Sequence, residues 1–184
     1  MKSLVLLLGT LLLAGCTVTP NGITPLENFD VDRYLGTWYE IARLDHRFER
    51  GLSQVTATYS KRPDGGIDVL NRGLDNKTGK WKEAKGRAYF INDPDVARLK
   101  VTFFWPFYGG YNVIALDREH YAYALVCGPN RNYLWLLARS RQLDEAVMQT
   151  LTAKAERLGF DTSQLIFVDQ QELSPSQQQV PQKD

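Results

Sequence analysis

Eight short β-rich segments follow one another through the middle of the chain, at 37–43, 54–61, 67–74, 81–91, 98–104, 111–117, 121–127 and 133–139, each set off by Gly, Pro, Asn or Asp. This rhythm constrains the fold more than any other feature, because such closely spaced strands leave no room for crossover helices between them. The turns Pro63-Asp64-Gly65-Gly66, Asn76-Lys77-Thr78-Gly79 and Asn92-Asp93-Pro94-Asp95 suit hairpins, so neighbouring strands pair antiparallel, up and down. A flat sheet would leave two long edges open to other chains, and closure removes them. After the last strand the period changes: Leu143, Val147, Leu151, Ala155 and Leu158 recur at helical spacing among Gln, Glu, Lys and Arg, and Gly159 stands where a helix ends. The expected fold is therefore all-β, an eight-stranded up-and-down antiparallel β-barrel with one C-terminal α-helix packed on its outside. Leu165-Ile166-Phe167-Val168 offers one short extra strand.

The two ends of the chain do not belong to that barrel. Met1-Lys2 followed by the apolar run from Leu4 to Ala14 has the length of a signal-peptide core and is too short to span a bilayer comfortably. It ends in Leu13-Ala14-Gly15-Cys16, which resembles the bacterial lipobox, where small residues precede a Cys that is acylated and becomes the first mature residue. Thr17, rather than Asp, follows that Cys, which in this resemblance implies the outer membrane, with the domain facing the periplasm. Residues 1–15 are expected to be removed, 16–28 to form a lipidated, flexible tether broken by Pro20, Gly22 and Pro25, 29–170 to fold as the barrel domain, and 171–184, rich in Gln, to be a disordered tail. Loss of Lys2 leaves 21 basic against 21 acidic side chains. A balanced charge argues against nucleic acid as a partner. With Cys16 acylated, Cys127 has no partner for a disulfide and reads as a small buried apolar residue.

Within the fourth segment, Glu83, Lys85 and Arg87 alternate with Ala84, Gly86 and Ala88. The charged set must face water, so the small set faces inward and leaves space inside.

Two separated motifs give this pattern a family. Gly36-Thr37-Trp38 opens the first strand within Asp32-Arg33-Tyr34-Leu35-Gly36-Thr37-Trp38-Tyr39-Glu40-Ile41-Ala42-Arg43, and Trp135-Leu136-Leu137-Ala138-Arg139 closes the eighth. The order of elements and these motifs are similar to the lipocalins, and with the lipobox they resemble the bacterial outer-membrane lipoproteins of that family. The resemblance implies that Arg139 lies across Trp38 at the closed end of the barrel, making Gly36, Trp38, Asp117 and Arg139 base residues rather than ligand contacts. The family's middle Thr-Asp-Tyr motif is reduced here to Leu116-Asp117-Arg118.

With Trp38 and Arg139 inward, strand parity proposes a lining: Glu40 and Ala42 on the first strand, Tyr111, Val113 and Ala115 on the sixth, Tyr133, Trp135 and Leu137 on the eighth, beside Ala84, Gly86 and Ala88. That set is apolar and aromatic with a single carboxylate, and it suits an acyl chain such as a fatty acid or lysophospholipid held for storage or transport in envelope maintenance. The loops at the open mouth carry Arg47, Arg50 and Arg131 beside Trp105 and Phe107. These form either a headgroup and membrane rim, or solvated charges with an aromatic loop folded over the barrel or used in a homodimer. Hydrolytic chemistry lacks a nucleophile, base and orienting group in reach, since His46 and His120 fall in loops at opposite ends, and no His or Cys cluster has metal-ligand spacing. The chain is thus expected to be a binder that needs no cofactor or metal. The alternatives are a lipocalin-fold enzyme using Glu40 with Tyr111 or Tyr133, and an interaction protein docking through the Trp105-Pro106-Phe107 loop.

Overall fold

The computed structural model describes residues 19–171; the expected signal peptide, Cys16 and all but the first residue of the expected tail lie outside them. Eight strands close into an antiparallel barrel: β1 (Gly36–Arg43), β2 (Leu52–Lys61), β3 (Ile67–Asp75), β4 (Lys80–Phe90), β5 (Arg98–Phe104), β6 (Phe107–Leu116), β7 (Tyr123–Cys127) and β8 (Leu134–Ala138). Each pairs with its sequence neighbour, and β1 pairs with both β2 and β8. The sixth strand starts at Phe107, earlier than the sequence suggests, because Gly109 and Gly110 pair with Val101 and Lys100 instead of forming a loop. A short helix α1 (Val31–Tyr34), capped by the Asp30 carboxylate, was not evident in the sequence.

Four bulges break the alternation, in β1 between Glu40 and Ala42, in β2, in β5, and in β6 between Val113 and Ala115. Each inserts a residue that reverses which face the rest of the strand presents. The barrel consequently has two cores. One lies inside, toward the closed end, around Trp38, Tyr59, Val113 and Leu137. The other lies outside, where helix α2 (Glu145–Arg157) covers Ile41, Ala42, Ile114, Ala115, Leu125 and Leu136. Asp144 caps α2 by accepting from the Ala146 and Val147 amides, and Gly159, at φ +83°, turns the chain out of it. Leu151 and Ala155 are buried in the outer core, with Leu143, Val147 and Leu158 packed against it, as the helical spacing predicts.

The closed end is built as the resemblance implies. Gly36 has φ +93°, a left-handed backbone that leaves room for the guanidinium of Arg139. That guanidinium stacks 3.9 Å above the Trp38 ring and donates to the carbonyls of Thr37, Arg33 and Leu35 at 2.8–2.9 Å. Trp38 is fully buried, its indole N–H donating to the Tyr34 carbonyl at 2.8 Å. The Asp117 carboxylate accepts from the amides of Glu119, His120 and Ala122 and so holds the β6–β7 turn. Burial alone would raise its pKa, but these three N–H groups leave it below the ordinary value.

Two segments outside the barrel are tied to its wall. Residues 19–28 do not hang free as a flexible tether. Ile23 is buried, the Leu26 amide donates to Val113 O, and the Leu26 carbonyl accepts from Ala97. After α2, strand β9 (Ile166–Phe167) pairs with Arg43 and Ala42. Because β1 pairs with β2 only from Gly36 to Tyr39, the upper seam between them is filled by residues 168–170, just beyond β9. Val168 N donates to Ile41 O, Gln54 N donates to Asp169 O, and the Gln170 amide donates to both Glu40 O and Val55 O at 2.8 Å.

Candidate functional site

The barrel interior above Trp38 is a cavity open at the mouth, where β1–β2, β3–β4, β5–β6 and β7–β8 turn. Its volume is about 100 Å³, and the wider space of about 830 Å³ around it includes open solvent at the mouth. It is a narrow slot.

Of the residues proposed from parity, Glu40, Ala88, Tyr111, Trp135 and Leu137 line the cavity. Gly86 is on the inner face opposite Val69, but its missing side chain does not leave a void. The Phe103 ring lies where a Cβ would stand, 2.8 Å from it. Ala84 shares the inner face with its partner Asn71 and is exposed toward the rim. Tyr133 stacks on Trp135 nearer the mouth, ring centroids 6.1 Å apart. Three assignments are displaced. Ala42 is turned to the outer core by the bulge after Glu40, and Ala115 likewise by the bulge after Val113. Val113 points inward but belongs to the packed base with Trp38.

Much of the wall comes from strands whose parity was not used: Val55, Ala57 and Tyr59 on β2, Ile67, Val69 and Asn71 on β3, Leu99, Val101 and Phe103 on β5. The alternation Ile67-Asp68-Val69 and Ala57-Thr58-Tyr59 carries the same signal as β4 and would have found them.

Besides Thr56 and Asn71, two polar clusters interrupt this apolar wall. At the base, Tyr111 bridges Tyr34 and Tyr59, with hydroxyl oxygens 2.7 and 2.9 Å apart. Burial raises the pKa of all three phenols, so they stay neutral and present a hydroxyl floor. Higher on the wall, the bulge in β1 turns Arg43 inward behind Glu40, Nη1 donating to Glu40 Oε1 at 2.7 Å and Nη2 to Glu49 O at 2.8 Å. Glu49 comes from the β1–β2 loop. Its carboxylate accepts from Trp135 Nε1 at 3.0 Å and lies 2.9 Å from His46 Nε2. Glu40, Arg43, His46 and Glu49 are all buried, and Glu40 and Glu49 are close enough for each to act on the other's titration. Desolvation, then the nearby Glu49 charge, pushes Glu40 well above the usual carboxylate range against the pull of Arg43. Burial raises Glu49 too, but His46 and Trp135 more than offset it and hold it low. Of the two, Glu40 is thus the one that holds a proton more readily and Glu49 the one that holds the negative charge. No sequence signal pointed to Glu49 or Arg43, since one is on a loop and the other on the wrong parity.

The expected cationic rim is only partly there. Arg47 is exposed, its guanidinium 5.0 Å from the Phe48 ring. Arg50 is bound to Asp45 through Nε and Nη2. Arg131 is not at the cavity: its Nε donates to Leu158 O and its Nη2 to Asn21 O, each at 2.7 Å, fastening the end of α2 and the N-terminal segment to the β7–β8 loop. Trp105 and Phe107 do stand exposed at the β5–β6 tip, at 80% and 64%. Cys127 is buried, its thiol pushed up to about 12 by burial. Neither Ser nor Cys lines the cavity, and among the described residues no three His, Cys, Asp or Glu side chains converge as metal ligands.

Comparison with known proteins agrees with this architecture. The sequence matches the Lipocalin-like domain family over residues 29–170. It is 60% identical over 151 residues to Outer membrane lipoprotein Blc of Escherichia coli K12, covering 82% of this chain and 85% of that one. It is 52% identical over 171 residues to the protein of the same name from Vibrio cholerae, covering 93% and 100%. Among solved structures, insecticyanin from the tobacco hornworm Manduca sexta superposes with a TM-score of 0.67 at 18% identity, covering 89% of this chain and 91% of its own, a likeness of fold alone. Barrel, base motifs and relatives together place this chain in the lipocalin-like family, as a bacterial outer-membrane lipoprotein of that family.

Proposed function

We propose that this chain, anchored through an acylated Cys16, binds one acyl-chain lipid in its barrel and holds it at the periplasmic side of the outer membrane for envelope maintenance. The observation that carries the reading is the cavity itself. Its walls are mostly aliphatic and aromatic, it is open at the mouth, and its polar groups are few, namely the phenol floor, the Glu40–Glu49 pair, and Thr56 and Asn71 on the β2 and β3 walls. An acyl chain buried there contributes roughly 0.8 kcal/mol per methylene.

The acid pair discriminates between the two lipid classes named by the sequence. A fatty acid carboxylate brought beside Glu49 meets a like charge, which the Arg43 guanidinium offsets only in part because it lies behind Glu40. A lysophospholipid instead offers hydroxyl and ammonium donors to the same oxygens, while the Glu40 proton is available to an ester or phosphate oxygen. The favoured ligand is thus a lysophospholipid with an amine headgroup. Titration calorimetry on the folded, ligand-free mature domain tests it. One-to-one uptake of lysophosphatidylethanolamine, tighter than that of palmitate, is expected, and uptake of neither would refute the reading.

A further inference from the structure

We infer that the barrel mouth rests on the leaflet that holds the Cys16 anchor, with the β5–β6 tip and Phe48 seated among the lipid headgroups. This rests on the reading of Cys16 as lipidated. The two ends of the barrel differ sharply in chemistry. The loops of the closed end present Arg62, Asp64, Asp93, Asp95, Arg118, Glu119 and His120. Every large apolar side chain that stands exposed among the described residues lies in the mouth half: Phe48 at 67%, Phe103, Phe104 at 83%, Trp105 and Phe107, with Ile166 and Phe167 beside Arg43 and Ala42. Cations lie in the same region, Arg47 over Phe48 and, beside the β5–β6 tip, Lys100 Nζ 5.1 Å from the half-buried Tyr108 ring. Aromatic rings with basic neighbours match an anionic bilayer interface, where the ring is buried and the charge stays at headgroup level.

The N-terminal segment limits how far the anchor can lie from the mouth. It leaves the closed end at Phe29, whose amide donates to Asp95 O, runs up the wall past Leu26, and reaches the β7–β8 loop, where Arg131 holds Asn21 O. Thr19 donates there to Asn112 Oδ1 at 2.8 Å, and the Asn112 amide in turn reaches the carbonyls of Cys127 and Gly128. Cys16 stands three residues further on, a reach of at most ~11 Å. The tip at Phe107 is five residues along β6 from Asn112, roughly 16 Å of tilted strand and about 12 Å of height. A turn closed by Ile23 N donating to Pro20 O lies between Leu26 and Thr19, and the reach from Thr19 to Cys16 is comparable with that height, which lets the anchor lie near the plane of the tip.

The test uses lipidated protein extracted in detergent and reconstituted at low density into phosphatidylethanolamine and phosphatidylglycerol vesicles, some carrying bromine high on the acyl chain. The Trp105 signal is the emission that W105F lacks. The expected result is quenching of that signal by brominated lipid, and its loss in the double variant F104S/F107S, which stays anchored through its lipid. Anchored protein whose Trp105 is unquenched overturns the orientation, as does a Trp105 shielded only by a second copy as protein density rises. Protein that carries no lipid fails to reconstitute and so counts against the anchor alone. The same chain coupled through Cys16 to maleimide-bearing vesicles, with Cys127 buried and unreactive, then decides the orientation by the same signal.

Discussion

Arg139→Met should unfold this protein more easily without changing what it binds. The side chain does three things at once: it stacks on Trp38 at 3.9 Å, and its two terminal nitrogens reach Thr37 O, Arg33 O and Leu35 O at 2.8–2.9 Å. The stacking contributes about 1 kcal/mol. A charged hydrogen bond to a carbonyl contributes about 1.5–3 kcal/mol when dry. Only the bond to Leu35 is partly buried, and the two exposed carbonyls recover water when the guanidinium goes, so the bonds together come to about 2 kcal/mol. Methionine keeps some of the packing over the indole, which limits the total to about 3 kcal/mol. For a domain of this size that lowers Tm by roughly 6–12 °C. Urea titration followed by tryptophan emission measures it, with lysophospholipid affinity determined on the same sample below the transition. Arg139→Lys should recover only part of the loss, because an ammonium cannot stack flat and reach three carbonyls together. A loss under about 1 kcal/mol, or a fall in affinity while the protein is still folded, would refute the assignment of Arg139 to the base rather than the cavity.

Other consequences are equally direct. Glu40 has a folded-state pKa raised above the ordinary 4.5, so its contribution is fully present below the unfolded value and is lost as pH rises through the folded one; Glu40→Gln should gain on the wild type in urea midpoint as the pH is raised above the ordinary carboxylate range. Gly86→Ala puts a methyl 2.8 Å from the Phe103 ring and from Thr102 O, and should cost about 1–3 kcal/mol while moving Phe103 further into the slot, which calorimetry would read as weakened lipid uptake. Arg131→Ala releases both Leu158 O and Asn21 O, and should speed hydrogen exchange at the end of α2 and at Ile23 with unchanged lipid affinity.

The strands, their order and the helix were legible because turn chemistry and hydrophobic period are local properties. The base was legible because Gly36, Trp38 and Arg139 sit at recognisable positions in a known pattern. What escaped is set by non-local geometry. Nothing in Glu40-Ile41-Ala42-Arg43 marks the bulge that sends Ala42 to the helix side and Arg43 inward behind Glu40. Glu49 reads as one more loop acid until the fold sets it against His46 and Trp135. Arg131 resembles a rim cation in sequence, yet Leu158 O and Asn21 O, 27 and 110 residues away, claim it.

The seam between β1 and β2 has a bearing on how this protein matures. Residues 166–170 come after all eight strands in chain order, yet they supply the bonds to Ile41, Gln54, Glu40 and Val55 that close the upper wall. A chain that has delivered β8 but not Gln170 still carries a gap through which the cavity meets water sideways. Export of such a protein must run nearly to the end before the barrel wall is sealed, and a product cut short after α2 would leave the cavity open at its side and offer proteases an open edge.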